Sequence, residues 1–404
     1  MVAGKQATSS ILREMVENVT RSIVILGSTG SIGQQALEVV RTHSDDLKVV
    51  GLAAGKRLDL LADQVDEFQP AFVNASSLPT GQRWHGALTS TMNELCQLPE
   101  ADLVLIATVG STGLAPTLTA IQAGKLIALA NKEVLVMAGE RVMAEASRHG
   151  VPVLPVDSEH SAVWQCFDGD CTLGGDLTAS PIERIILTAS GGAFRDRPID
   201  DLASVTSGEA LAHPNWVMGP KVTIDSATLM NKGFEVIEAH WLFGLPYDKI
   251  DVLLHRESIV HAMVEFYDSS IRAALGPPDM RIPVQHALTY PSRRPAPWPR
   301  LKLETIGTLS FKPLDRSRYP CFELALAAAA AGGSAPTVLS AADDVAVRFF
   351  LEGRIGFADI SNVVDRALQT HRPLGSPTIE DVVEIDRRVR EELEASIERG
   401  TRRA

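Results

Sequence analysis

"RSIVILGSTGSIGQQALEVVRTH", residues 21–43, decides the fold. Ile23–Leu26 reads as a short apolar strand, and Ala36, Leu37 and Val40 share one face of the helix that follows. Between them Gly27, Gly30 and Gly33 are spaced G-x-x-G-x-x-G rather than the commoner G-x-G-x-x-G. Glycines at such a turn let the backbone approach a pyrophosphate, which rests on the free amides of the helix N-terminus. Tight βα turns often hold glycine; the place of this one in the first βα unit points to a dinucleotide.

Working outward, "LKVVGLAAGK" reads as a second strand, "LDLLADQVDEFQP" as a helix stopped by proline, and "AFVNA" as a third strand. "ADLVLIATVG" (101–110), "KLIALANKE" (125–133) and "VPVLPV" (151–156) add strands, with helices from about 116 to 124 and from 133 to 149. Strands apolar throughout and alternating with helices predict a parallel sheet covered on both faces. The fold class expected is α/β: a Rossmann-like doubly wound parallel sheet over 21–155, a central α+β catalytic domain over 156–290, and a C-terminal helical bundle over 319–404. Residues 1–20 read as a short helical extension, and 291–318, which opens on the proline- and arginine-rich "YPSRRPAPWPR" (290–300), as a linker. In the central domain "RIILTAS" (184–190) reads as a strand and 249–275 as antiparallel strands turning at Asp268–Ser270. Helices are expected at 321–332, 337–352, 357–371 and 378–399, two ended by Gly332 and Gly353 and the last capped by Thr378 with Asp381.

The 404 residues suffice for two or three domains and carry a formal charge of −12. That balance argues against nucleic acid or an anionic membrane as partner, so a bound phosphate must be held by local donors. No uncharged run approaches the roughly 20 apolar residues of a membrane span, "LALAAAAAGG" (324–333) being too short. The opening stretch lacks the apolar core of a secretory signal, and Glu14 and Glu17 argue against a transit peptide. Cys96, Cys166, Cys171 and Cys321 suggest a reducing compartment rather than a disulfide framework, and their spacing makes no zinc finger. The setting expected is the cytoplasm.

Six stretches carry chemistry. The second strand ends in "AAGKR" (53–57) without the acid that grips an NAD ribose; Lys56 and Arg57 suit a 2′-phosphate, hence NADP, or are solvated surface charges. "ALANKEVLV" (128–136) sets Asn131, Lys132 and Glu133 at a strand's carboxyl end, where Lys132 could meet a substrate oxygen or phosphate, or Asn131 could cap a helix. "VDSEHSA" (156–162) holds Asp157 and Glu159 two apart at what reads as a strand end, so both carboxylates should face one way. Two such charges need a shared proton, a basic partner or a metal ion, and no lysine or arginine lies nearby in sequence. A hydrolase built on Asp157, Ser158 and His160 lacks a G-x-S-x-G elbow. In "KVTIDSATLMNKGFEVIEAHWLF" (221–243) a strand end is expected to meet Asp225 and Ser226 as caps of the next helix. Ser226, Asn231 and Lys232 then form a phosphate cradle with Glu235 on the same face; the plainer reading is a surface Lys–Glu pair. "ALAHPNWVMGPKV" (210–222) is a loop whose Trp216 either packs permanently or closes as a lid, with His213 able to meet a phosphate; "TASGGAF" (188–194) offers Ser190 and an anion nest. His255, His261 and His286 read as core or interface histidines.

Together these stretches resemble the 1-deoxy-D-xylulose 5-phosphate reductoisomerase family from about residue 21 to about 395. The likeness runs through "GSTGSIG", "AGK", "ANKE", "PVDSEHSA", "TASGGAF", "IDSATLMNKGFE", "ESIVHAMVE", "GPPDMRIPVQHAL", "YPCFELA" and "EGRIGF". It implies an NADPH-dependent enzyme with Mg²⁺ or Mn²⁺, a homodimer, that rearranges and reduces 1-deoxy-D-xylulose 5-phosphate to 2-C-methyl-D-erythritol 4-phosphate in bacterial isoprenoid synthesis. Without it, the residues alone favour an NADP-dependent dehydrogenase of a small phosphorylated or semialdehyde substrate. The resemblance implies metal ligands Asp157, Glu159 and Glu235, with Ser158 and Lys132 at the reacting end of the substrate. It implies a phosphate site of Ser190, Ser226, Asn231 and Lys232 beside His213, and a flap holding Trp216 and Met218. The cofactor set it implies is Gly27, Ser28, Thr29, Gly30, Ser31, Ile32, Gly33, Gly55, Lys56, Arg57, Asn131, Glu133 and Gly219. His160 falls to a supporting place. Three departures stand out: Arg57 where asparagine is common, Phe234 where leucine or methionine is usual, and "LSAADDVAV" (339–347) in place of an asparagine-rich helix start.

Overall fold

A computed structural model describes residues 20–167 and 180–401. Apart from Thr20, the expected N-terminal extension lies outside the described residues, as does Cys171. The chain forms two compact units. One takes in residues up to Val134, Val142–Leu177 and Asp279–Arg300; the other takes in Leu135–Arg141, Thr178–Pro278 and Leu301 onward.

The first unit is built on a sheet of eight described strands: β1 (Arg21–Leu26), β2 (Leu47–Ala54), β3 (Phe72–Ala75), β4 (Arg83–Trp84), β5 (Ala87–Thr89), β6 (Leu103–Ile106), β7 (Leu126–Leu129) and β8 (Val153–Pro155). Their order is β4-β5-β3-β2-β1-β6-β7-β8, parallel throughout except for the β4–β5 pair. The doubly wound order expected from the glycine-rich turn is therefore present, and it reverses between β1 and β6, where such sheets bind dinucleotides. Ile23–Leu26, Leu103–Ile106 and Ile127–Leu129 are fully buried, as strands covered on both faces must be. The β4–β5 hairpin and the short Met92–Cys96 helix, the latter closed by a Thr91–Glu94 capping box, were not anticipated. Residues 290–300 are tied to this unit: Arg294 pairs with Asp46 at 2.9 Å, and Arg293 donates to Gln165.

The second unit holds a five-stranded sheet, β9 (Ile182–Ala189), β10 (Ile250–Leu254), β11 (Val260–Phe266), β12 (Ile271–Leu275) and β13 (Lys312–Pro313), in the order β12-β11-β9-β10-β13. The β11–β12 hairpin is antiparallel as expected, but β10 does not pair with β11; it lies parallel to β9, which separates the two. The four expected C-terminal helices are Pro320–Ala331, Ala335–Leu351, Phe357–Thr370 and Ile379–Thr401. Gly332 ends the first at φ +64°, and Thr378 and Asp381 exchange capping bonds of 2.8 and 3.1 Å before the last. These helices share a core with Pro220–Thr228 and Met230–Phe243 through Ile224, Phe234, Ala325, Val338, Leu339 and Phe350.

One local expectation fails. "KVTIDSAT" is not a strand leading to caps at Asp225 and Ser226: Pro220 sits in the first turn of a helix that runs to Thr228. A fixed φ and a missing N–H suit proline there. Tertiary burial of Thr223, Ile224 and Ala227 overrides the β-branched look of the segment. Leu229, at φ +57° and 2% exposed, is the single residue joining this helix to Met230–Phe243.

Candidate functional site

In the first unit the turn after β1 is closed by glycine of necessity. Gly27 lies at φ +91°, a β-carbon there would stand 2.3 Å from the Ala107 carbonyl oxygen, and one at Gly33 would stand 2.2 Å from that of Gly27. Ser31, Ile32 and Gly33 open the Ser31–Thr42 helix, Gly30 capping it with backbone alone. Ser28 is fully buried and its hydroxyl oxygen has no hydrogen-bond partner among the described residues; Thr29 is 7% exposed. Gly55, Lys56 and Arg57 are exposed past the end of β2, and Arg57 donates to the Thr29 carbonyl at 3.3 Å. This cradle fits a dinucleotide pyrophosphate with a cationic group beyond it. Asn131 is buried and committed to Thr108 and the Gly110 carbonyl, at 3.2 and 3.0 Å, and Glu133 begins the Glu133–His149 helix.

"VDSEHSA" differs from its expected form. Asp157 caps the Ser158–Gln165 helix, accepting from the Glu159 amide at 3.3 Å, so Asp157 and Glu159 stand on a helix N-terminus rather than along a strand. The N-terminal dipole favours both charges. A basic partner is present after all: Lys132 Nζ lies 2.5 Å from Asp157 Oδ2, both side chains 12% exposed. The fully buried His160 ring lies 3.4 Å from Asp157 Oδ1. Burial opposes ionisation of Asp157, but the charge of Lys132 and the bond to His160 outweigh it and hold the carboxyl well below its ordinary range. Ser158 donates to Glu159 Oε2.

In the second unit Asn231 and Lys232 donate to the two oxygens of Glu235. Lys232 is 4% and Glu235 1% exposed, so the surface-pair reading of these residues fails. Ser226 is half-buried on the preceding helix, and Gly219 caps that helix's start. Ser190 Oγ meets His213 Nε2 at 2.9 Å, and burial, followed by the charge of Arg195, pushes the His213 imidazole down to about 4. Trp216 is half-buried, its ring edge-on to His261 at 6.0 Å, with its neighbour Val217 98% exposed. His255 is fully buried, accepting from the Ile259 and Val260 amides, a core residue as expected; in the first unit His286 is half-buried, its ring tilted against that of Trp164 at 4.3 Å. Two features escaped the sequence. Arg195 lies under the Ser190 turn, signalled only by its nearness to "SGG"; Asp343, in the departure "LSAADDVAV", pairs with Lys221 at 2.7 Å, as does Asp225 at 2.5 Å.

Comparison with known proteins follows the same lines. Residues 23–139 match the family described as 1-deoxy-D-xylulose 5-phosphate reductoisomerase. Residues 153–243 match its C-terminal domain, and residues 275–392 the DXP reductoisomerase C-terminal domain. The chain belongs to the 1-deoxy-D-xylulose 5-phosphate reductoisomerase family. It is 51% identical over 374 residues to the reductoisomerase of Geobacillus kaustophilus (strain HTA426), covering 90% of this chain and 96% of that one. To the Bacillus subtilis (strain 168) enzyme it is 48% identical, covering 92% and 98%. A solved DOX-P reductoisomerase in complex with NADPH, fosmidomycin and magnesium superposes with a TM-score of 0.87 at 37% identity, over 94% of this chain and 98% of that one. The Zymomonas mobilis enzyme in complex with NADPH gives 0.84 at 37%, over 94% and 100%. The protein is therefore an oxidoreductase acting on 1-deoxy-D-xylulose 5-phosphate.

Proposed function

We propose that the protein converts 1-deoxy-D-xylulose 5-phosphate to 2-C-methyl-D-erythritol 4-phosphate with NADPH and Mg²⁺ or Mn²⁺, through the residues named above. When bound, NADPH supplies the hydride and the dication polarises the substrate's carbonyl and hydroxyl oxygens. The Gly27–Gly33 turn, with Ser28 and Thr29 at its base, holds the pyrophosphate, and Lys56 and Arg57 face the 2′-phosphate. Asp157, Glu159 and Glu235 hold the dication: three hard oxygen donors suit such an ion. Lys132 keeps Asp157 ionised and, with Ser158, meets the reacting end of the substrate. His160 orients Asp157 from behind, as a buried partner of a ligand does. Ser190, Ser226, Asn231 and Lys232 take the phosphate, whose binding energy orients the far end of the molecule. Trp216 and Met218 close over the substrate and exclude water.

The observation that carries this reading is Glu235, a buried carboxylate placed by the helix that also bears Asn231 and Lys232, so metal and phosphate donors share one rigid element. NADPH oxidation with 1-deoxy-D-xylulose 5-phosphate, with and without chelator, tests it. Glu235→Gln should lower turnover roughly a hundred- to a thousandfold, the scale of losing a charge-stabilising group, with NADPH binding intact. Unchanged turnover sinks the metal assignment.

A homodimer is supported by β12, an edge strand of its sheet among the described residues, with Ile271 53%, Leu275 43% and the neighbouring Tyr267 58% exposed. A cytoplasmic setting is supported by the free, buried thiols of Cys96 and Cys321. Among the described residues no helix is long and apolar enough to cross a membrane.

A further inference from the structure

β9 ends at Ala189, and Ser190 leads into a turn where Gly191 and Gly192 have φ of +85° and +71°. The Gly192 amide donates to Ser190 Oγ at 3.2 Å, and His213 Nε2 lies 2.9 Å from the same oxygen. The other side of the ring is equally committed: the backbone amides of Asn215 and Trp216 point at His213 Nδ1 from 3.1 and 2.9 Å. A ring nitrogen facing two N–H donors carries no hydrogen of its own, so the neutral ring bears its proton on Nε2 and donates it to Ser190. A serine oxygen has two acceptor sites and one hydrogen. His213 and Gly192 occupy both acceptor sites, which leaves the hydroxyl hydrogen for a third group.

Arg195 fixes the frame around this chain of bonds. Its Nη1 donates to the Ser190 carbonyl at 3.0 Å and to the Arg256 carbonyl at 3.1 Å, and it reaches Asn215 Oδ1 at 3.5 Å. The guanidinium thus joins the Ser190 turn to the loop that supplies the two amides. Its charge, added to burial, also keeps the imidazole neutral.

We propose that His213 is a positioning residue: held as the Nε2–H tautomer by the Asn215 and Trp216 amides, it forces the Ser190 hydroxyl to act as a donor toward the substrate phosphate. Arg195 is its partner in placement, holding the serine turn and the loop in one register. The loop bearing Trp216 and the serine that grips the phosphate are then parts of a single hydrogen-bonded relay. A phosphate that takes the Ser190 hydrogen strengthens the bond from His213 and, through it, the hold on the two loop amides, because linked hydrogen bonds polarise one another. This rests on the assignment of Ser190 to the phosphate.

Steady-state kinetics with 1-deoxy-D-xylulose 5-phosphate, NADPH and Mg²⁺ on Ser190→Ala, His213→Ala and the double variant tests the relay. Each single change should raise KM roughly ten- to a hundredfold, the range for losing a hydrogen bond to a charged group. The double variant should be no worse than Ser190→Ala alone to within about threefold, since coupled residues do not add. His213→Gln, which keeps an Nε2 donor, should recover part of the loss. Multiplicative effects in the double variant overturn the relay and leave the phosphate assignment standing. A Ser190→Ala enzyme with unchanged KM overturns both. Imidazole ¹⁵N shifts of the wild-type protein give a check that needs no variant: His213 should show protonated Nε2 and bare Nδ1 from pH 6 to 8. The opposite tautomer, or a titration midpoint near the ordinary value of about 6.5, overturns the proposal.

Discussion

Lys132 in the first unit and Lys221 in the second each hold buried carboxylates, and the outcomes are opposite. Lys132 faces Asp157, with His160 on the other oxygen, and that carboxyl lies well below its ordinary range. Lys221 faces Asp225 at 2.5 Å and Asp343 at 2.7 Å, with Asp344 at 3.4 Å. There both Asp225 and Asp343 are pushed up, by burial first; for Asp225 the charge of Asp343 adds to it, while Lys221 opposes both shifts. Asp343 is in hydrogen-bond contact with Asp225. The second oxygens, Oδ1 of each, are buried with no other partner among the described residues. What differs is the company each aspartate keeps: a lysine and a histidine beside Asp157, a lysine and a second carboxyl beside Asp225. With a lysine and a histidine against its oxygens the carboxylate stays ionised and available as a ligand; with a second carboxyl against it the pair keeps a proton and becomes a strut between two helices.

The comparison breaks most visibly on removal of each lysine. Lys132→Met strands a buried anion and should cost about 3–5 kcal/mol in urea unfolding at pH 7. Lys221→Met leaves a pair that can still share its proton, so about 1–3 kcal/mol is expected from the lost bonds. Equal losses would mean that Asp225 and Asp343 are both ionised. The pH dependence carries the next effect. Asp157, depressed in the folded chain, contributes stability that is present above its unfolded value of about 3.9 and lost as pH falls through the folded one. Asp225 and Asp343, raised, contribute stability that is present below about 3.9 and lost as pH rises through their folded values, at up to a tenfold change in the unfolding constant per pH unit and proton. Thermal melts of Asp343→Asn from pH 5 to 9 should therefore be flatter than wild type, and more favourable at the alkaline end; a steeper decline would contradict the shared proton. Arg41→Met, which breaks the exposed pair with Glu67, marks the small end of the scale at under about 0.5 kcal/mol.

What could be read from the chain was what local chemistry dictates. The Gly27, Gly30 and Gly33 turn, the apolar strands around it and the Thr378–Asp381 cap each follow from contacts within a few residues. The misreadings arose where distant partners decide. "KVTIDSAT" has the look of a strand, and only its burial against the C-terminal helices makes it helical. The partner that keeps Asp157 charged is Lys132, one strand and one helix earlier in the chain, which no spacing rule reaches. For the site, residue types and their grouping within segments were legible. The tautomer of His213 was not, because it depends on which amides of a punctuated loop turn inward.

Leu229 gives the last of these features a wider meaning. One residue at φ +57°, its side chain sealed in the core, separates the helix bearing Ser226 from the helix bearing Asn231, Lys232 and Glu235. A helix turns about 100° per residue, so one residue added or removed at this joint would swing all three side chains to another quarter of the compass. The length of the chain here acts as a coordinate of the site, as fixed as any bond angle. Drift in this stretch can change side chains but has no freedom to change their number.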